Sequence, residues 1–383
     1  MTVIAIFDDY QLAISDMLLS VENPAVTTTT PTTGNTALIA DLQLGVSRLV
    51  RKVVAADGPI GRAELLVAGT VTHIEHFSSE LNKAFRNPQH LPEELLEIVR
   101  EKGPLGCLEV AALITNATGL NDFEVLGVAG NKMCSHTFDA NKIATNIPYF
   151  GTVRIAGGGA SDLLSWLELR AEAYAARFAN SSFDERRFHI GNNIPLFLME
   201  EDLSHKRRTI KNGVGGFYEA YEILSGQLIP IGDWLTIFAD IIGKARDQTV
   251  LVRRLMYHCY SDDYLYVLSL KHDALVSATS PTSVPLSECA LFEIPPLNAK
   301  PNRSKWTIHR VATQLAGASK IRSVIRKNDS KTVTRRFISS HPDFSKLLKI
   351  GISGANLNIE LDLEGFQHFA SRFSDDKTSP ILV

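Results

Sequence analysis

Cysteine is scarce in this chain, and its few copies lie far apart. The 383 residues contain four cysteines, namely Cys107, Cys134, Cys259 and Cys289, and no two of them have the CxxC spacing. The common zinc motifs need closely spaced cysteines, and a disulfide framework needs a denser set. The sequence therefore predicts neither a structural zinc site nor a disulfide scaffold.

Long apolar runs and an excess of one charge are also absent. No apolar stretch approaches 18 residues, and the first residues lack a basic segment followed by an apolar one. The chain has 39 Lys and Arg against 42 Asp and Glu, for a net charge of -3. This balance provides no general attraction to nucleic acid or to an anionic membrane. We therefore predict a cytoplasmic protein with neither membrane nor nucleic acid as a partner.

The first sixteen residues, "MTVIAIFDDYQLAISD", have the pattern of a β-hairpin without a lead-in. Residues 2–7 are nearly all apolar or β-branched, residues 8–11 have turn composition, and residues 12–16 return as a second apolar segment. Chain termini usually contribute little to a core. This pattern predicts that the chain starts inside its own core.

The remaining pattern predicts strands and helices in runs. Helices are expected at 71–85, 92–103 and 160–179, and strands at 49–55, 107–119, 123–138, 233–242 and 262–272. The Thr- and Pro-rich residues 21–37 are expected to form an irregular loop. Runs of this kind favour a layered α+β fold over a doubly wound sheet, with two packed sheets and helices outside them.

The composition changes near residue 275. Pro- and Ser-rich stretches begin there, and a basic run follows from Lys320 to Arg336. We therefore predict one domain over residues 1–274 and an appended region of unknown role over residues 275–383. The basic run has no interleaved aromatic residues, which favours a solvated face over a nucleic-acid contact.

Five features occur in a definite order along residues 2–270. They are Thr2, Asp16 in "AISD", Lys52 in "VRKV", Gly69 in "LLVAGT", and the glycine turn of "RIAGGGASDLL". This order resembles the N-terminal-nucleophile hydrolases of the proteasome β-subunit type. The resemblance implies an α+β fold, an αββα four-layer sandwich, here with a C-terminal extension.

The resemblance also implies a chemistry for these residues. Thr2 would become the nucleophile once Met1 is removed, and its own α-amine would be the base. The Lys52 cation would depress the pKa of that amine, Asp16 would hold Lys52, and the Gly69 amide would be the oxyanion donor. The implied protein is a threonine-type amidohydrolase or peptidase that acts on a peptide or small amide. It would need no cofactor and no metal, and it would form a homo-oligomer.

The chain departs from the family pattern at its supporting residues. Ser161 lies slightly late for the expected serine, and Lys211 and Val214 replace an aspartate and a serine. The alternative is therefore a non-catalytic protein on the same fold, either a proteasome-like structural subunit or a sensor. Two further sites remain open, a metal at His73 and His76 and a phosphate at the glycine turn, although a third ligand and a P-loop lysine are missing.

Overall fold

The computed structural model describes most of the chain. The described residues are 2–58, 61–69, 74–75, 78–79, 82–83, 86, 124–129, 132–137, 143–203, 208–224, 227–242, 249–297, 305–330, 333–339, 347–367 and 381–382.

The described residues form a mixed α+β structure that is mostly strand. The strands are β1 Ile4–Phe7, β2 Leu12–Asp16, β3 Leu18–Val21, β4 Thr29–Thr30, β5 Gly34–Asn35, β6 Gly45–Leu49, β7 Val53–Gly58, β8 Gly61–Ala68, β9 Glu124–Ala129, β10 Lys132–Thr137, β11 Ile143–Ile147, β12 Gly151–Ala156, β13 Tyr218–Leu224, β14 Gln227–Pro230, β15 Trp234–Ile242, β16 Thr249–Ser261, β17 Tyr264–Leu270, β18 Ala274–Ser277, β19 Thr282–Pro285, β20 Cys289–Ile294, β21 Lys320–Ser330, β22 Val333–Ser339, β23 Leu348–Ser353, β24 Asn356–Leu361 and β25 Ile381–Leu382. The helices with defined bounds are α1 Ala160–Arg177, α2 Phe183–Leu203, α3 Arg208–Lys211 and α4 Ile308–Ala316.

The chain divides into two compact units, and the division differs from the predicted one. Unit 1 contains residues 1–29, 35–231 and 295–300, and unit 2 contains residues 30–34, 232–294 and 301–383. The main break therefore lies between Ile231 and Gly232 rather than at 274/275. The physical reason is strand pairing, because β15 pairs with β16 on one side and with β21, in parallel, on the other. A boundary at 274/275 would split this sheet.

Two antiparallel sheets pack together in unit 1. The six-stranded sheet has the order β11-β12-β1-β2-β13-β14, and the four-stranded sheet has the order β10-β9-β8-β7. Strands β1, β12 and β14 of the first sheet contact β8 and β9 of the second. The shared core includes Ile4 and Ile6 from β1 and Leu66 and Ala68 from β8. Apolar side chains from both sheets therefore exclude water between them.

The long helices of unit 1 lie against the six-stranded sheet. Helix α1 contacts β11 and β12, and α2 contacts β2 and β13. Along α1 the residues Leu163, Leu167, Ala171 and Tyr174 are buried at spacings of three and four, which forms one apolar stripe. The predicted helix at 160–179 is therefore confirmed, with its end at Arg177. Within the described part of the chain, no helix has the length and apolar character needed to cross a membrane.

Several predicted elements are described only in part. Residues 74–75, 78–79, 82–83 and 86 are helical, in agreement with the helix expected at 71–85. The predicted helix at 92–103 and strand at 107–119 lie outside the described residues. The single strand expected at 123–138 was wrong, because β9 and β10 are two antiparallel strands there.

The hairpin at the start of the chain is confirmed. Strand β1 pairs with β2 from Ile4 opposite Ser15 to Phe7 opposite Leu12, and residues 8–10 form a 3-10 turn. Gln11 takes a left-handed φ of 51° to close that turn. Every residue of both strands is buried, since β1 and β2 are central strands with a neighbour on each edge.

The Thr-rich segment is more ordered than an irregular loop. It contains β4, β5 and a 3-10 turn at Thr36–Leu38, and Thr30, Thr32 and Thr33 are buried. The hydroxyls of Thr30 and Thr33 are hydrogen-bonded at 2.6 Å. Burial of a hydroxyl is tolerated when it has a partner, so threonine fits this segment without helical periodicity.

Unit 2 is built on a sheet of eight strands. Its main order is β20-β17-β16-β15-β21-β22-β25, and β18 also pairs with β16. A separate sheet has the order β19-β24-β23. The core of unit 2 contains Val311 and Leu315 of α4 together with strand residues such as Tyr266 and Leu357. The strands predicted at 233–242 and 262–272 are confirmed as β15 and β17.

A glycine turn fixes the start of β1 in unit 1. Gly157 has a φ of +94°, and a Cβ at this position would lie 2.3 Å from the Thr2 carbonyl oxygen. The Gly159 amide donates a hydrogen bond of 3.0 Å to the same oxygen. Only glycine satisfies both the left-handed backbone and the close approach. The turn that precedes α1 therefore determines where Thr2 lies.

We expect Gly157→Ala to lower the free energy of unfolding by about 3 kcal/mol, from backbone strain and steric overlap together. Gly351→Ala is the control, because a Cβ there has no atom within 4 Å, and its effect should stay within about 0.5 kcal/mol. Urea denaturation followed by circular dichroism measures both variants. Equal stability of the two variants would contradict this account of the turn.

Candidate functional site

The Thr2 side chain belongs to a buried polar cluster of unit 1, formed with Asp16 and Lys52 and here called the Thr2 pocket. Thr2 is only 7% exposed, and its Oγ1 accepts a hydrogen bond of 3.1 Å from Lys52 Nζ. Its carbonyl oxygen is held by the glycine turn described above. Both the backbone and the side chain of Thr2 are therefore constrained, and its hydroxyl lies beside an amine.

Lys52 is buried in the short connection between β6 and β7. The residue is 1% exposed, and Nζ donates a second hydrogen bond of 2.6 Å to the Leu18 carbonyl. Burial lowers the pKa of Lys52 below its usual value of 10.5, and the charge of Asp16 opposes that change. The amine of Lys52 therefore loses its proton more easily than a surface lysine does.

Asp16 ends β2 and is completely buried. Its Oδ1 accepts from the Val3 amide at 3.0 Å, and its Oδ2 accepts from the amides of Gly215 at 3.0 Å and Leu18 at 3.3 Å. Burial raises the pKa of Asp16, whereas the charge of Lys52 and the backbone amides lower it. The carboxylate is thus bound to three segments of backbone around the pocket.

The way in which Asp16 acts on Lys52 is more indirect than we expected. Asp16 interacts with Lys52 through charge, and it also binds the Leu18 amide. The carbonyl of that same Leu18 accepts from Lys52 Nζ. Asp16 therefore organises the backbone that holds the lysine.

Gly69 follows the last residue of β8. It is exposed and has a φ of 135°, a backbone conformation that favours glycine. The preceding residue, Ala68, is buried, and its Cβ would lie 3.4 Å from a Cβ at Gly157, the turn that contacts Thr2. Gly69 therefore continues from a residue beside the pocket, and its role as oxyanion donor stays a prediction.

The three positions of the expected supporting residues do not supply polar groups to Thr2. Ser161 is exposed on the first turn of α1. Lys211 Nζ lies 3.9 Å from Asp41 Oδ2, and Val214 is buried with a methyl group close to Gly159. At these positions the side chains pack or face the surface, so the polar support for Thr2 that the resemblance implies is missing from them.

The described residues contain no group of three or more His, Cys, Asp or Glu side chains placed to hold a metal. His73 and His76, the pair considered in the sequence, lie outside the described residues. Cys259 and Cys289 of unit 2 are buried free thiols, and burial raises the pKa of each, to about 12 and about 11. Neither thiol is activated as a nucleophile near neutral pH.

Sequence reasoning named Thr2, Lys52 and Asp16, but it missed the backbone groups that join them. The Leu18 carbonyl and the Gly215 amide carry no side-chain signal, because any residue has the same backbone groups. The Gly215 and Gly216 pair of "NGVGGF" is the one sequence signal in this loop. Gly215 has a φ of +111°, and this conformation is the physical reason for glycine there.

We expect Lys52→Met to destabilise unit 1 by about 3 kcal/mol near pH 7.5, because it leaves the buried Asp16 without its cation. Loss of the cation raises the pKa of folded Asp16 further above the unfolded value. The folded state then binds a proton more tightly, and its stability increases as the pH falls through that pKa. The difference between wild type and variant should therefore shrink at pH 5.

Urea denaturation at both pH values measures this difference. Lys271→Met is the matched control, because Lys271 is exposed and its Nζ also donates to a backbone carbonyl, that of Ser287. Its effect should be small and independent of pH. A Lys52→Met penalty that stays constant from pH 7.5 to pH 5 would contradict the coupling of Lys52 to Asp16.

Comparisons of the chain with protein-family models, with curated proteins and with solved structures found no match. The contacts among Thr2, Lys52, Asp16 and the glycine turns are therefore the basis for assigning a function.

Proposed function

We propose that this protein is an N-terminal-threonine amidohydrolase that acts on a peptide or another small amide. The observation that carries the proposal is the 3.1 Å contact between Lys52 Nζ and Thr2 Oγ1 inside a buried pocket that also contains Asp16. Burial of a lysine ammonium is costly because the ion loses its hydration. A lysine buried beside a hydroxyl at the start of a core strand therefore supports a chemical role over a packing role.

In the proposed reaction, removal of Met1 exposes the α-amine of Thr2. An α-amine has an ordinary pKa of about 7.7 to 8.0, and the Lys52 cation would lower it further. The amine accepts the Thr2 hydroxyl proton while Oγ1 attacks the amide carbonyl carbon. The C–N bond then breaks, and the leaving amine takes that proton. Water, deprotonated by the same amine, hydrolyses the resulting ester and releases the acid.

The Gly69 amide is the proposed donor to the oxyanion. A backbone amide on a glycine can approach the reacting oxygen closely, and one such donor is worth roughly 10²- to 10³-fold in rate. The left-handed φ of Gly69 and its place after a buried strand end beside Gly157 support this role.

We infer that unit 1 is an αββα four-layer sandwich. Two packed antiparallel sheets with α1 and α2 on one outer face support this fold. The helical residues between 74 and 86 support a helix layer on the other face, because Ile74 and Ser78 are buried while Glu75 and Ser79 are exposed. Buried residues four apart form one side of a helix.

The second candidate is a non-catalytic structural subunit or sensor on the same fold. It is favoured by the slight exposure of Thr2, at 7%, and by Lys211 and Val214 at the supporting positions. In that case Lys52 and Asp16 would only order the start of the chain. The two candidates differ in the reactivity of Thr2.

We expect wild type to lose Met1 and to react with an epoxyketone probe, which needs both the amine and the hydroxyl of an N-terminal threonine. Thr2→Ser should keep the reaction, and Thr2→Ala should abolish it while remaining folded. Lys52→Met should slow labelling by roughly 10²-fold or more, in the range of lost acid–base assistance. Intact-mass spectrometry reads both Met1 removal and adduct formation.

Thr307→Ala is the control for a lost threonine hydroxyl, because Thr307 caps α4 in unit 2 by accepting from the Arg310 amide. It should label at the wild-type rate despite the loss of about 1 kcal/mol from the cap. Retention of Met1, or equal labelling of wild type and Thr2→Ala, would favour the non-catalytic candidate.

The proposed protein is a homo-oligomer, as the resemblance implies. Exposed apolar side chains on α1 and α2 support self-association, namely Leu169 at 80% and Phe183 at 49% exposed. We expect a dimer or a small closed oligomer in light scattering, and Leu169→Glu should shift it toward smaller species. A strict monomer over a wide concentration range would contradict this part of the proposal.

A further inference from the structure

A second buried carboxylate lies behind the pocket. Asp202, near the end of α2, is completely buried. Its Oδ2 accepts a hydrogen bond of 3.0 Å from the Gly216 amide, and its Oδ1 accepts one of 2.7 Å from the Thr209 hydroxyl. The Tyr218 hydroxyl lies 3.5 Å from the same Oδ1. The acid is thus well satisfied and makes a direct contact with the glycine loop.

Two successive amides of that loop donate to two different carboxylates. Gly215 donates to Asp16 Oδ2, and Gly216 donates to Asp202 Oδ2, each at 3.0 Å. There is no room for a side chain at Gly215, because a Cβ there would lie 2.4 Å from Asp202 Oδ1. Each carboxylate therefore restricts the orientation of the peptide units that the other one binds.

We propose that Asp202 is a positioning residue for the Thr2 site, which acts by holding the Gly215–Gly216 backbone so that the Gly215 amide stays on Asp16. This inference rests on the proposed function for its effect on reactivity. The chain of contacts runs from Asp202 through the loop to Asp16, then to Leu18, and from Leu18 to Lys52 and Thr2.

The loss of one carboxylate oxygen tests this chain of contacts. An asparagine has one acceptor oxygen and one NH₂ donor, whereas Asp202 accepts at both oxygens. Asp202→Asn therefore takes the charge-assisted acceptor away from the Gly216 amide or from the Thr209 hydroxyl, and the hydroxyl keeps a partner only by accepting from the new NH₂. Thr209→Val removes the hydroxyl donor alone and leaves the acceptor of the Gly216 amide in place.

Local exchange of backbone amides is the first measurement. In hydrogen–deuterium exchange with fragmentation, Asp202→Asn should speed exchange at residues 213–217 by at least tenfold, and Thr209→Val should do so less. Asp184→Asn removes a charge from the exposed first turn of α2 and is the control, with exchange at 213–217 like that of wild type. Unchanged exchange at 213–217 in Asp202→Asn would overturn the inference.

The pH dependence of epoxyketone labelling is the second measurement, and it separates positioning from a general loss of stability. The charged groups around the loop are Asp16, Lys52 and Glu201, and Tyr218 also faces Asp202. Without the Gly215 donor, Asp16 holds its proton to higher pH and supports the Lys52 cation less. The pKa of the Thr2 amine then rises, so the acid side of the labelling profile moves to higher pH.

We expect Asp202→Asn to label about tenfold more slowly at pH 7, with this shift, while Asp184→Asn keeps the wild-type profile. If Asp202→Asn speeds amide exchange at 213–217 but labels at the wild-type rate with an unshifted pH profile, the proposed effect of Asp202 on Thr2 is wrong. Wild type that never labels would contradict the proposed function instead, and the exchange measurement would still decide whether Asp202 holds the loop.

Discussion

The burial of one ammonium group, that of Lys52, constrains the arrangement of unit 1 around the start of the chain. Moving such an ion out of water costs several kcal/mol even after relaxation, so nearby groups must compensate for it. Here the Thr2 hydroxyl and the Leu18 carbonyl accept its hydrogen bonds, and Asp16 supplies the opposite charge. Displacement of the hydroxyl, the carbonyl or the carboxylate would leave the buried ammonium of Lys52 without part of its compensation.

The buried Asp16 extends this constraint to three separate parts of the backbone. Its carboxylate binds the amides of Val3, Leu18 and Gly215, which lie just before β1, at the start of β3 and in the glycine loop. A buried carboxylate is stable only when such donors are present. The amides that compensate the charge of Asp16 therefore also fix the positions of the three backbone segments around it. Glycine at 157 and 215 lets the backbone approach as closely as that requirement demands.

The arrangement of Thr2, Lys52 and Asp16 is compatible with both proposed functions, the amidohydrolase and the non-catalytic protein. A hydroxyl, an amine and a buried lysine on fixed strands are what nucleophilic attack by an N-terminal threonine needs. A protein that only used this network to anchor its first strand would keep the lysine and the acid as well. The chemical difference between the two candidates lies in whether the α-amine of Thr2 is free.

Much of the local structure was predictable from the sequence because its causes are local. Alternating and continuous apolar residues with a DDYQ turn predicted the first hairpin, and a stripe at three and four spacing predicted α1. Thr2, Asp16 and Lys52 were found through their order along the chain, by resemblance. The division into units was not predictable in this way, because the parallel pairing of β15 with β21 joins residues 86 positions apart, as in Trp234 opposite Lys320.

The sequence by itself therefore determined the first hairpin and helix α1 of unit 1, and which polar residues lie among apolar ones. Only the tertiary structure decided that the Leu18 carbonyl joins Asp16 to Lys52, that Gly215 donates to Asp16, and that Asp202 lies behind the same loop. The physical reason is that these links use backbone amides and carbonyls, which every residue possesses. Their partners are chosen by how the strands and helices pack, and a residue's identity does not encode that choice.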